Sequence, residues 1–171
     1  MGYKVGSIAI ALLTLAAVLL AANFCYGLIH ETAHAVIVKA LGGEVFQIYV
    51  NPAGLDACIE HSPIAGPGVV MVGLAGLCAT TLSAMIMAIA GKEIIPAFFA
   101  LRTMIYALNY APGTDISNLY ASTGDFTYVL SIVLAIGNLL ALSLALRGRI
   151  APITNLSASL LRGLPRHNSG E

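Results

Sequence analysis

Two histidines and a glutamate stand inside an apolar run in the stretch YGLIHETAHAVIV, Tyr26 to Val38. Its centre, HETAH, fits the pattern His-Glu-x-x-His. On a helix, His30 and His34 lie one turn apart and face the same way. Two imidazoles so placed can hold one Zn²⁺ at about 2.0–2.1 Å. Glu31, beside them, is placed to take a proton from a water that the metal activates. That is the chemistry of metal-assisted hydrolysis. A shuffled chain of the same composition would carry the pattern only about 0.3 % of the time.

The apolar setting adds weight. An ionised group at the bilayer centre costs roughly 2.5–3.5 kcal/mol on insertion scales, so such groups are kept there for a function. The plain alternative is a polar belt at the membrane interface, with these side chains simply reaching water.

A catalytic zinc site has three protein ligands and one open position. The other carboxylates are Glu44, Asp56, Glu60, Glu93, Asp115, Asp125 and Glu171. Topology sorts them. The histidine pair lies towards the C-terminal end of the first apolar segment. The third segment crosses in the same direction and ends near Asp115, so Asp115 emerges on the same side and at similar depth. Glu93 starts that segment and falls on the opposite side. Asp56 and Glu60 are on the right side but read as too shallow. Asp125 competes with Asp115. The sequence NYAPGTD favours Asp115, because Pro112 and Gly113 break the helix there and can aim a side chain inwards. Cys25 and His61 read as a packed cysteine and a loop histidine rather than as further metal contacts.

The elements that must position these residues belong to a membrane. Of 171 residues, 58 % are hydrophobic and 9 % charged, whereas a soluble domain carries about 25 % charged residues. Formal net charge is zero, which leaves no basic footprint for nucleic acid. Three cysteines without CxxC spacing give neither a zinc finger nor a disulfide framework. The first apolar run, about Ser7 to Leu41, is too long for a cleaved signal peptide. As one helix it would measure about 50 Å against a hydrocarbon core of ~30 Å. It must therefore tilt, project or bend, with Asn23 and Gly27 as weak points. Gly42 and Gly43 end it.

EVFQIYVNPAGLDACIEH, Glu44 to His61, reads as a short β-hairpin turning at NPAG, close to the membrane surface. A second span covers about Pro63 to Ala90, and its GLAGLCATTLSA lets another helix approach closely. A third span runs from about Ile94 to Ala111. DISNLYASTGD is a polar connection with room for one or two helical turns. A fourth span runs from about Phe126 to Leu146. The expected fold class is thus an all-α integral membrane protein of about four transmembrane helices, with a membrane-associated β-hairpin between the first and second. Residues 1–146 form the core, and 147–171 form a polar, flexible tail.

These features, in this order, resemble those of the site-2 proteases, zinc metalloproteases that cut their substrates inside the membrane. HETAH resembles the family's zinc motif. LGGEVFQIYV resembles the segment that follows it, and GLAGLCATTLSA the Gly/Ala-rich second core helix. NYAPGTD resembles the Asn-Pro-x-Pro…Leu-Asp-Gly motif. The likeness covers about Cys25 to Asn118. There are departures. The family's Ala-Gly-Pro reads Ala75-Gly76-Leu77, the Asn-to-Asp spacing is two residues shorter, and Ile116 stands where the family has Gly.

The resemblance implies one Zn²⁺ per chain held by His30, His34 and Asp115, with Glu31 as the base. It implies that Asn109 holds the substrate backbone or the transition-state oxyanion. It implies that Val45, Gln47 and Tyr49, on the strand Val45–Val50, pair with an opened stretch of substrate. The expected substrate is a transmembrane protein in the lipid bilayer.

Arg102 lies mid-span. It is read as snorkelling or pairing with Glu93, with a place beside the site as the alternative. Orientation is contested. Lys4, Lys92 and the four tail arginines put the termini in the cytoplasm by the positive-inside rule, whereas family habit puts the active-site side there. Two other functions stand beside the leading one. One is a zinc protease of another His-Glu-x-x-His family with a downstream Glu ligand. The other is a protease-like membrane protein that binds metal or partner helices without cutting.

Overall fold

The computed structural model describes residues 2–51, 56–91 and 94–162, with side chains described for 6–51, 56–91 and 94–147. The chain order is α1 (Gly2–Ala40), β1 (Val45–Val50), β2 (Ala57–His61), α2 (Gly68–Ile89), α3 (Ile94–Ala107), α4 (Asp115–Thr123) and α5 (Phe126–Arg162). Three helices are long and apolar enough to cross a membrane, over Gly6–Ala40, Gly68–Ile89 and Phe126–Arg147. The expected third span is the shorter helix α3, 14 residues long, where a full crossing takes about 20.

Helix α1 does not break at Asn23 or Gly27; it is continuous over 39 residues. Its length is about 58 Å at 1.5 Å per residue, and residues 6–18 are all exposed. Its C-terminal half packs. The buried positions Ala22, Asn23, Tyr26, Gly27, His30, Glu31, His34 and Val38 recur at three to four residues and form one face. Gly42, at φ +79°, closes the helix in a left-handed conformation, and the Gly43 N–H donates to the Val38 carbonyl at 2.9 Å.

Helix α2 is central and packs on α1, α3, α4 and α5. Its buried stripe is Gly68, Val72, Gly76, Thr80, Ala84 and Ala88, each four residues from the last. Small residues at that spacing let neighbouring backbones come close where lipid gives no hydrophobic drive. Buried hydroxyls add cross-links. Thr103 Oγ1 lies 3.2 Å from Tyr26 Oη and 3.0 Å from Thr80 Oγ1, tying α3 to α1 and α2. Asn138 Nδ2 donates to Thr81 Oγ1 at 2.8 Å, tying α5 to α2.

The hairpin forms as the sequence predicts. β1 and β2 are antiparallel, with Val50 opposite Ala57 and Tyr49 opposite Cys58, and a bulge between Val45 and Gln47. The expected turn at NPAG falls at residues 52–54, outside the described residues, but the Asn51 N–H donates to the Asp56 carbonyl across its base at 2.9 Å. The hairpin lies on α1 at Gly27, where an added Cβ would stand 3.1 Å from Val50 Cγ1. The polar connection after α3 contains α4, two and a half turns long. Helix α5 continues past Leu146 to Arg162, so the first part of the expected tail is helical.

Candidate metal centre

His30, Glu31 and His34 are buried on the packed face of α1, at 8 %, 6 % and 4 % exposure. Helix α2 holds both rings from across the interface. His34 Nδ1 lies 2.7 Å from the Val72 carbonyl, so Nδ1 carries the hydrogen and Nε2 keeps its lone pair. His30 lies flat against the backbone of Gly76, where an added Cβ would stand 2.5 Å from three of its ring atoms. Its other face stacks on Tyr26, centroids 5.9 Å apart and planes 18° apart.

Asp115 arrives from a different direction. After α3 the chain turns through a loop that is braced internally. Asn109 Oδ1 accepts from the Ala111 N–H at 3.1 Å, and Thr114 Oγ1 donates to the Asn109 carbonyl at 2.8 Å. Gly113 takes a φ of +84°, which suits glycine. Thr114 then caps α4, its side chain accepting from the Ser117 N–H. Asp115 is thereby the first residue of a helix, where the helix dipole favours a carboxylate.

The three side chains converge. His30 Nε2 stands 2.8 Å and His34 Nε2 3.4 Å from Asp115 Oδ2. One ligand atom from each of the three lies within 4.8 Å of the others. Burial alone would raise the Asp115 carboxyl, but the hydrogen bond from His30 and the nearby His34 ring outweigh it and hold it below the usual carboxylate range.

The donor set fits a zinc ion. Two ligands at about 2.1 Å and a tetrahedral angle stand about 3.4 Å apart; His34 Nε2 and Asp115 Oδ2 have that separation, and His30 Nε2 is closer to Asp115, at 2.8 Å. The His34 Nε2 lone pair faces the Asp115 carboxylate, two acceptors opposed, and a cation between them resolves that opposition. The His30 Nδ1 is buried with no hydrogen-bond partner. That end of the ring is therefore set by stacking and by Gly76, while Nε2 faces Asp115.

Two cavities flank the centre. One, of 210 Å³, reaches from Glu31 and Asp115 to Tyr26, Arg102 and Tyr106. The other, of 310 Å³, reaches past His34 to Ile64 and Asn118. Glu31, Ala57, Gly113 and Asp115 line both, so the start of β2 overhangs the centre.

The remaining candidates fall in several places. Asp125 is exposed and does not join the group. Glu93 and Pro52–Leu55 lie outside the described residues, as does Glu171. Asp56 is nearer than its loop position predicts, since it lines the first cavity with Glu31. Cys25 is exposed, and His61 Nδ1 turns to the Ser62 carbonyl at 2.7 Å. Asn109 does not line either cavity. Val45, Gln47 and Tyr49 lie on β1, whereas the hairpin residues that line the cavities come from Asp56 and β2. Arg102 lines the first cavity beside the centre, with its guanidinium 4.4 Å from the Tyr26 ring centroid, while its expected partner Glu93 lies outside the described residues.

Sequence reasoning missed Val72, Gly76 and Thr114. The Val72 contact is a main-chain carbonyl and leaves no residue-type signal. Gly76 and Thr114 had one: a glycine on the stripe facing a histidine pair, and a Thr directly before an Asp that opens a helix.

Gly76→Ala is expected to push the His30 ring off the donor set. Zinc affinity is expected to fall about 10–100-fold, as for loss of a supporting contact, read by competition with a chelator. Helicity by circular dichroism is expected to hold, since Ala is the better helix former.

The chain matches no protein-family model, no curated protein and no solved structure.

Proposed function

We propose that the protein is a zinc-dependent endopeptidase that hydrolyses peptide bonds in or near transmembrane segments. The observation that carries this is the convergence of His30, His34 and Asp115 with Glu31 beside them, buried among apolar helices. The resemblance of HETAH, GLAGLCATTLSA and NYAPGTD to site-2 protease motifs supports the same reading. In it α3 is a fourth crossing, short because it ends where the Asp115 loop begins.

One zinc per chain would be held by His30, His34 and Asp115. When bound, zinc supplies a Lewis acid that makes water nucleophilic near neutral pH. Glu31 takes the proton from the attacking water and delivers it to the leaving amine. Val72 and Gly76 keep the two imidazoles aimed. Asn109 keeps the Asp115 loop in shape, and in the family-based reading it also contacts the substrate. A substrate helix must open locally before attack, and the edge of β1, with Val45, Gln47 and Tyr49, offers main-chain partners to the opened stretch. Deleting 45–50 is expected to abolish cleavage and leave zinc bound.

The test is metal removal. Purified protein in nonionic detergent is given a panel of transmembrane-segment peptides, before and after treatment with a chelator, and after zinc is restored. Cleavage is expected to disappear with the metal and return with it. Cleavage that survives at undetectable zinc would reject the proposal. No cleavage of any peptide by protein carrying one zinc would favour the metal-binding, non-cutting alternative.

A further inference from the structure

The first cavity has a second pole that the hydrolytic reading does not use. Arg102, from the apolar helix α3, enters it beside Tyr26 and Tyr106. Its guanidinium stacks over Tyr26 at 4.4 Å and lies 5.4 Å from the Tyr106 ring centroid. Nη2 lies 3.3 Å from the Tyr106 hydroxyl. Those rings in turn lie 5.9 Å and 6.4 Å from the His30 ring. The cation is therefore held in a set orientation one aromatic layer from the metal centre, in the same 210 Å³ space as Glu31 and Asp115.

We propose that Arg102 is a specificity residue that binds a carboxylate of the substrate a short distance from the bond cut. A cation inside an apolar helix is costly, and a neutral amide would hold a substrate carbonyl at less cost. A guanidinium fork matches a carboxylate with two parallel hydrogen bonds. Stacking on tyrosine fixes the plane of that fork before substrate arrives. The cavity's acidic groups set the balance. With zinc in place, its two charges offset Asp115 and Glu31. Asp56, exposed at the foot of β2, also lines the cavity, where its charge opposes that of an incoming carboxylate. The carboxylate belongs either to an acidic side chain or to a free chain end.

The inference rests on the peptidase reading for its meaning. Its test reads binding rather than turnover, so the two can fail separately. Zinc-loaded protein in nonionic detergent is titrated calorimetrically with three probes: acetyl-Leu-Leu-Glu-Leu-amide, its Gln counterpart, and the Gln peptide with a free C-terminus. One carboxylate-bearing probe is expected to bind about tenfold or more tighter than the neutral one. A gain by the Glu peptide assigns the side chain, and a gain by the free acid assigns the chain end. Arg102→Gln is expected to remove the preference at unchanged zinc content. Arg102→Lys, which keeps the charge and loses the two-pronged fork, is expected to shrink it, a graded loss that a merely structural Arg102 would not give. Equal binding of all three probes overturns the proposal. So does a preference that survives Arg102→Gln, because the carboxylate would then sit on the metal. If Arg102→Gln does not fold, Arg102→Lys decides: an unchanged preference in it overturns the proposal.

Discussion

Glu31→Gln is expected to keep one zinc per chain and to lose turnover by about 10²–10⁴-fold, the usual share of a general base. Gln has the shape of Glu and cannot accept the proton. Glu31 is 6 % exposed and borders both cavities, so no bulk-water base replaces it at close range. The donor set is His30, His34 and Asp115, and none of these changes. Zinc by elemental analysis and cleavage of a transmembrane-segment peptide, measured on the same preparation, separate the two effects. Stability is expected to hold or rise, because the substitution removes a buried charge. Equal turnover in wild type and variant would remove Glu31 from the chemistry. Loss of zinc together with turnover would make Glu31 a ligand or a structural partner of one.

The His30–Glu31–His34 part of the candidate centre was legible in the sequence because it is local. His30 and His34 are one helical turn apart, and a helix over that stretch follows from its apolar length alone. Asp115 is 85 residues from His30. It was reached only by tracking which way each span crosses and by the helix break at Pro112 and Gly113. The same reasoning set Asp56 aside as too shallow; it is exposed and outside the candidate group, yet it lines the first cavity. Depth was judged from position in a loop, whereas β2 folds back over α1 against Gly27 and carries Asp56 to the cavity. Arg102 was ambiguous because a lone cation in an apolar helix has several possible partners. Its choice of Tyr26 and Tyr106 depends on how α3 packs against α1, which periodicity does not encode. The third span was readable as an apolar run, but its helical length of 14 residues was not, because Leu108–Thr114 leaves the helix to build the loop that aims Asp115.

Asp115→Ala is expected to cut zinc affinity on the order of 10²–10³-fold, while Asp125→Ala leaves it unchanged. The first figure follows from losing one of three protein ligands, a share of the ~10–16 kcal/mol that a full zinc site supplies. The competing account is that Asp115 is only the N-terminal carboxylate of α4, hydrogen-bonded to His30 with His34 close by. On that account Asp115→Ala costs about 0.3–1 kcal/mol of helix stability and leaves the metal in place. Asp115→Asn sharpens the contrast. It keeps a hydrogen-bonding group at the start of α4 and removes the charge, so a zinc ligand is weakened by it and a helix-end partner is not. Thr114 still caps the helix in both variants, and the Asn109 braces do not involve the Asp115 side chain. A fall in zinc affinity with unchanged helicity therefore has one source, the Asp115 carboxylate at the metal. Full zinc affinity in Asp115→Ala would leave two imidazoles as the only protein donors from this group. The third ligand would then have to come from Glu31 or Asp56, the other carboxylates of the same cavity.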